Sequence, residues 1–403
     1  MLNLRQTLML AVALGVIGCG EGDDNPTTGG SQSAGSQAGK GGTTAGSGGK
    51  VTGGDSSPTA GTGGTAEPTA GTGGTGGTGG TGGLAGAGGT STGGGSGETA
   101  GTGGKPVGGA TGGAMIKFVG NISSSNGMTD VGSLKYAQYW NQVSPQNEGK
   151  WGSVSNSKGQ YNWNALDTLY KYAETNKIIF KEHTFIWGAQ QPNYGITEAD
   201  LKDWMTQFCK RYPNVKLIDV VNEPPPHTTP SYANSIGGGT NGDWKWIANA
   251  FKWAREACPN AILILNDYNN MEWDADNKRF IDIVNAIRKL DAPIDAIGCQ
   301  AHDLDHNAVN PAAVKTRLGK LIDVLPNIYI TELDMSTKDD AAQLKLYQDY
   351  FPMFWENPNV KGITIWGWVV GMTWSMAPDS GLITRDGKKR PAFDYLLKLI
   401  GKQ

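Results

Sequence analysis

The chain is poor in cysteine and histidine, with four of each in 403 residues, and neither sign of charge dominates: 34 Lys and Arg stand against 37 Asp and Glu. A net charge of −3 and an isoelectric point near 5.9 give no footprint for nucleic acid, because phosphate binding shows as clustered Lys and Arg. Long apolar runs are missing too. The run from Leu8 to Ile17 is ten residues, short of the roughly 20 that span a bilayer. No pair of cysteines has a CxxC spacing. With Cys19 set aside, Cys209, Cys258 and Cys299 cannot all pair with one another, so at least one is free in a monomer, and buried apolar filling is their expected role. His302 and His306 in "HDLDH" are four apart, a spacing that suits a metal only on a helix. Asn310 and Pro311 mark this piece as a loop opening the next helix, so no metal and no cofactor is expected.

Aromatic residues are absent from the first 114 residues. From Asn25 to Gly113 the sequence is almost wholly Gly, Thr, Ala and Ser, with runs such as "GTGGTGGTGGTGG". Such a tract has nothing to bury. Its period of three lacks the strict Gly-X-Y phase of collagen, and residues 20–114 are expected to be a disordered tether with a root-mean-square span of about 50 Å. Ahead of it, "MLNLRQTLMLAVALGVIGCG" combines Arg5, a short apolar run and a small-residue exit, the layout of a signal peptide. "VIGC" resembles a bacterial lipobox, which implies lipidation of Cys19, residues 1–19 as the signal, and an exported cell-envelope lipoprotein, displayed at the cell surface or outer membrane or secreted. The membrane enters as a partner only through that anchor.

Residues 115–403 hold all 13 Trp, 13 Tyr and 9 Phe and are enough for one large core. Short strand-like runs alternate there with segments of helical period. The strands read "KFVGNI" at 117, "NQVSPQN" at 141, "IIFKEHTFIW" at 178, "KLIDVVNE" at 216, "AILILNDY" at 261, "AIGCQAH" at 296, "NIYITELD" at 327 and "GITIWGW" at 362. Between them, "NALDTLYKYAETN", "TEADLKDWMTQFCKRY", "DWKWIANAFKWAREAC", "NKRFIDIVNAIRKL" and "DAAQLKLYQDYFPMFWE" carry apolar residues three and four apart. This alternation predicts an α/β protein, a (β/α)8 TIM barrel. A doubly wound sheet is the alternative, but no Gly-rich phosphate loop follows the first strand.

Active sites of such barrels lie at the C-terminal strand ends, and these ends are polar: Asn147, His183, Asn222 with Glu223, Asn266 with Asp267, Gln300 with His302, and Glu332 with Asp334. Apolar strands bring Glu223 and Glu332 to the mouth, and strands four and seven face each other across it. Retaining hydrolysis of a glycosidic bond needs one protonated carboxyl and one ionised carboxylate about 5 to 5.5 Å apart. Structural pairing of either Glu with Lys or Arg is the plainer alternative.

In order along the chain, "SPQNEGKW" at 144, "KEHTFIW" at 181, "DVVNEP" at 219, "NDYN" at 266, "QAH" at 300, "ITELD" at 330, and "TIWGW" at 364 with "TWS" at 373 resemble glycoside hydrolase family 10, the retaining endo-β-1,4-xylanases. The resemblance implies Glu223 as acid/base and Glu332 as nucleophile, with Asn222 on the sugar 2-hydroxyl. It also implies His302 orienting Glu332, Asp334 fixing the His302 tautomer, and Gln300 contacting the acid/base region. Asn147, Lys150 and His183 would bind sugar hydroxyls on the non-reducing side, and Trp187, Trp366 and Trp374 would wall the cleavage subsite. The implied partner is xylan or a xylo-oligosaccharide, met by a monomer.

Three positions depart from the pattern. Gln146 stands where the family has Glu, Gly188 where His is usual, and "WVVGMTWS" lacks an Asp often found before the last loop. The loss of a side chain at Gly188 is expected to widen the cleavage subsite. Activity on another β-linked glycan, or glycan binding without cleavage, are the rival expectations.

Overall fold

The structure, a computed structural model, describes residues 116–123, 129–239 and 242–402. The expected signal peptide, Cys19 and the Gly/Thr-rich tether lie outside the described residues. Eight strands close into a parallel barrel in sequence order: β1 Phe118–Ser123, β2 Gln142–Pro145, β3 Ile179–Ile186, β4 Leu217–Asn222, β5 Ile262–Asp267, β6 Ala296–Cys299, β7 Ile328–Leu333 and β8 Val360–Ile365. Each overlaps one of the eight expected runs. The helices are α1 Tyr136–Tyr139, α2 Trp151–Val154, α3 Asn164–Asn176, α4 Glu198–Arg211, α5 Lys245–Ala257, α6 Asp274–Lys289, α7 Pro311–Val324, α8 Asp340–Trp355 and α9 Pro391–Leu399.

Local chemistry sets the helix ends. Thr197 and Asp200 form a reciprocal capping box on α4, with Glu198 in its first turn and Lys210 and Arg211 in its last, the charge order that complements a helix dipole. Asn310 caps α7 ahead of Pro311. On α4 the buried residues are Leu201, Trp204, Met205, Phe208 and Cys209, one apolar stripe turned to the barrel.

Two of the three cysteines are not lone fillers. Cys209 near the end of α4 and Cys258 just past α5 form a disulfide with Cα atoms 5.5 Å apart, while Cys299 is free and buried. The bridge joins neighbouring helices brought together only by the barrel closing, so no sequence spacing announces it.

The inside of the barrel is layered. Phe118, Leu217, Ile264, Ala296 and Tyr329 form a separate apolar cluster with Ile179 and Ile262, drawn mostly from strand starts, so it plugs the N-terminal end. Above it Lys181 pairs with Asp219 at 2.5 Å, both fully buried. Extra residues in β3 between His183 and Ile186, in β4 between Asp219 and Val221, and in β7 between Ile330 and Leu333 shift the register near the mouth. Bulges of this kind re-aim side chains, which lets both Asp219 and Asn222, three apart, face the interior.

Candidate active site

The strand β4 ends at Asn222, and Glu223 stands one residue beyond it with φ +52°. A left-handed backbone at a non-glycine residue costs about 1–3 kcal/mol and persists only where surroundings impose it. They do so here. The Glu223 amide still donates to the Asn266 carbonyl at 2.8 Å, and its own carbonyl accepts from the Thr228 amide at 3.0 Å and the Thr228 hydroxyl at 2.8 Å. The prolines at 224–226 end the ladder; Thr228 closes the turn behind them.

The side chain of Glu223 accepts from Trp187 Nε1 at 2.7 Å and from Gln300 Nε2 at 3.2 Å. Gln300 Nε2 also donates to Asn222 Oδ1 at 3.1 Å, and Asn266 Nδ2 donates to the same oxygen at 2.7 Å. Asn266 Nδ2 reaches Glu332 Oε1 at 2.7 Å as well, while its Oδ1 accepts from Thr331 Oγ1 at 2.5 Å. The two carboxyls are thus linked through three amides. Because Asn222 Oδ1 is used by two donors, its Nδ2 is left to donate elsewhere, which fixes the amide orientation.

On its other oxygen Glu332 meets His302 Nε2 at 3.3 Å, and His302 Nδ1 lies 3.0 Å from Asp334 Oδ1. Trp374 Nε1 donates to Asp334 Oδ2 at 2.8 Å, with its ring 4.8 Å from the His302 ring. His183 Nδ1 is 2.9 Å from Asp219 Oδ2 and 3.8 Å from Glu332 Oε1, and its ring meets Trp366 edge-on at 5.2 Å. Trp366 is almost fully buried, whereas Trp187 is partly open. Lys150 Nζ sits 4.7 Å over the Trp187 ring and donates to Asn147 Oδ1 at 3.0 Å. Every sequence-predicted residue of the described chain therefore gathers at one end of the barrel.

Acidity divides the two glutamates. Burial and the nearby charge of Glu332 push Glu223 up to about 7, against the hydrogen bonds from Trp187 and Gln300. Burial alone would raise Glu332 as well, but the imidazoles of His183 and His302 and the Lys181 ammonium bring it down to about 2. The two imidazoles are shifted in opposite directions. Burial opposes the charged form, but Asp334 and Glu332 hold His302 well above the ordinary range, whereas burial holds His183 below it despite Glu332 and Asp219. Lys150 is lowered by burial to about 8, against the pull of Glu332 and Glu223.

One expectation about the site is corrected. A Cβ at residue 188 would meet the Thr229 carbonyl carbon at 2.9 Å and Thr228 Cβ at 3.1 Å, so the β4 loop fills the space and the subsite is not widened there. The "HDLDH" histidines diverge: His302 turns to Glu332 and Asp334, while His306 packs against Trp273 with ring centroids 5.2 Å apart. Asn266, Thr331, Lys181 and Asp219 were not among the expected site residues. Two adjacent charges, Lys181 and Glu182, in the middle of a buried strand are the signal that could have found the interior pair.

Residues 112–399 match the profile of Glycosyl hydrolase family 10. "Endo-1,4-beta-xylanase B" of Cellvibrio japonicus (strain Ueda107) is 41% identical over 289 residues, 70% of this chain and 45% of that protein. "Endo-1,4-beta-xylanase B" of Thermotoga neapolitana is 30% identical over 254 residues, 58% of this chain and 72% of that one. The chain thus spans less than half the length of the Cellvibrio relative. Among solved structures, xylanase 10B of Thermotoga petrophila RKU-1 in complex with xylobiose shares the fold, with a TM-score of 0.61 at 24% identity over 71% of this chain and 94% of that one. A profile match across most of the chain and a barrel with two carboxyls of split acidity at its mouth agree: the chain belongs to Glycosyl hydrolase family 10.

Proposed function

We propose that the chain is a retaining endo-1,4-β-xylanase that cleaves internal xylosidic bonds by double displacement. The observation that carries the reading is the hydrogen-bonded chain from Glu223 through Gln300, Asn222 and Asn266 to Glu332 at the barrel mouth, along which Glu223 is raised to about 7 and Glu332 lowered to about 2. Relatives named as endo-1,4-beta-xylanases supply the substrate class.

Glu332, ionised, attacks the anomeric carbon while the bond to the leaving oxygen breaks and Glu223 delivers its proton to that oxygen. The product of this half is an ester between the sugar and Glu332. Its formation removes the Glu332 charge, one of the causes that raise Glu223, so Glu223 becomes the stronger acid and, ionised, takes a proton from water. That water attacks the same carbon and regenerates Glu332. Asn222 offers its remaining Nδ2 to the 2-hydroxyl, a bond that tightens as positive charge develops on the ring. Lys150 and Asn147 grip hydroxyls on the non-reducing side. All named groups come from one chain, which suits a monomer.

The N-terminal reading stands as part of the proposal: export and lipidation at Cys19, supported by the "VIGC" stretch. The Cys209–Cys258 disulfide fits an oxidising compartment. Loss of radiolabelled palmitate from a Cys19→Ala variant tests the anchor.

Rates on xylan, β-glucan and aryl glycosides, with product profiles, test the activity. Internal cleavage of xylan that vanishes in Glu332→Ala is expected; preference for another glycan would move the substrate, and parental rates in the variant would remove the mechanism.

A further inference from the structure

Lys181 and His183 of β3 both face Asp219 inside the barrel, so Glu182 between them points the other way, toward the helical layer. It is fully buried, and its carboxyl oxygens make no well-formed hydrogen bond among the described residues, the adjacent His183 amide being a donor that reaches toward them. What it meets is the segment joining β2 to α2. A Cβ added at Gly149 would stand 2.8 Å and 2.9 Å from the two Glu182 oxygens and 2.7 Å from the His183 carbonyl. Gly149 is therefore the gap into which the carboxyl fits, and its neighbours in the chain are Asn147 and Lys150.

We propose that Glu182 is a positioning residue: seated beneath Gly149, it sets the height of the Gln146–Lys150 segment, and with it the grip of Asn147 and Lys150 on the sugar, without touching substrate. The inference rests on the proposed glycosidase reading and adds a residue to it. The carboxyl works as an uncharged prop. Burial and the charge of Asp219 raise it well above the ordinary carboxyl range, with Lys181 and the His183 amide opposing. The hydroxyl of Tyr212 at the end of α4 is also near, but is given to Asp167 Oδ1 at 2.9 Å. A neutral acid is the form that such a site tolerates, and an amide has the same shape.

This makes substitution outcomes specific. Glu182→Gln keeps the prop and is expected to leave kcat and KM on soluble xylan within about twofold of the parent, whereas Glu182→Ala lets the segment settle and raises KM about fivefold or more with kcat within about threefold. Loss of fold alone would not separate KM from kcat in this way, nor be rescued by the amide. If Glu182→Ala yields no folded protein, Glu182→Asp decides, since its carboxyl is one methylene short of Gly149: a KM raised about threefold or more, with Gln unaffected, supports the proposal. Parental KM in Ala or Asp, or equal damage by Gln, overturns it. A parent inactive on xylan would instead sink the glycosidase reading, so the two failures are distinct.

Discussion

Asn266 holds Glu332 by one amide nitrogen, 2.7 Å from the Glu332 oxygen, and the same nitrogen is 2.7 Å from Asn222. Thr331 pins the other end of that amide. Asn266→Ala is expected to lower kcat on xylan about a hundredfold, the scale of losing one donor aimed at a reacting group. Steady-state kinetics on xylan check it, and a change of less than about threefold would argue that His302 alone orients Glu332.

A glycine guards the same amide. A Cβ at Gly298 would fall 2.3 Å from Asn266 Oδ1, so Gly298→Ala must displace Asn266 and loosen Glu332 with it. Activity about tenfold or more below the parent is expected, because misplacement far from the chemistry is costly. A parental rate would show that Asn266 can move without consequence.

In the proposed mechanism the active ionisation state has Glu332 charged and Glu223 protonated. In kcat/KM on xylan the alkaline limb should therefore fall near 7 and the acid limb near 2. Since the Glu332 charge helps raise Glu223, replacing it by Gln should move the Glu223 titration downward, toward an ordinary carboxyl. Carboxyl titration followed by NMR in Glu332→Gln checks the coupling; an unchanged Glu223 value would assign the whole elevation to burial.

His302 binds its proton more tightly folded than unfolded, so it adds stability below the unfolded value near 6.5 that is lost as pH rises through its higher folded value. Glu332 has the opposite sign: it adds stability above its unfolded value near 4.5, lost as pH falls toward 2. His302→Ala leaves Glu332 and Asp334 buried without the cation between them and should cost about 3–5 kcal/mol. Thermal melting of the variant at neutral pH checks this.

How far the sequence could be read follows from what each feature depends on. The eight strands and the position of Glu223 and Glu332 depend on apolar patterning and strand ends, which are local, and both were legible. The Cys209–Cys258 bridge depends on α4 and α5 becoming neighbours, and the Thr229 backbone against Gly188 depends on the path of the β4 loop. Neither is local. Nor is the aim of Asp219 and Asn222, because the extra residue in β4 breaks the alternation that pattern reading assumes. Asn266 was visible as a strand-end polar residue, but its partnership with Glu332 needed the closed barrel.

The bridge supplies one more check. Cross-linking residues 49 apart restricts the unfolded chain, worth on the order of 4 kcal/mol at that loop length. The double substitution Cys209→Ser and Cys258→Ser should lower the melting temperature by several degrees and leave kcat within about twofold, since the bridge lies among the outer helices.

The most direct test of the central claim is proton NMR of xylan hydrolysis in its first minutes, read for the anomeric configuration of the new reducing end. A β-anomer that appears first and then mutarotates is the expected result, because two displacements through Glu332 restore the starting configuration. An α-anomer appearing first would mean a single displacement by water and would contradict the account.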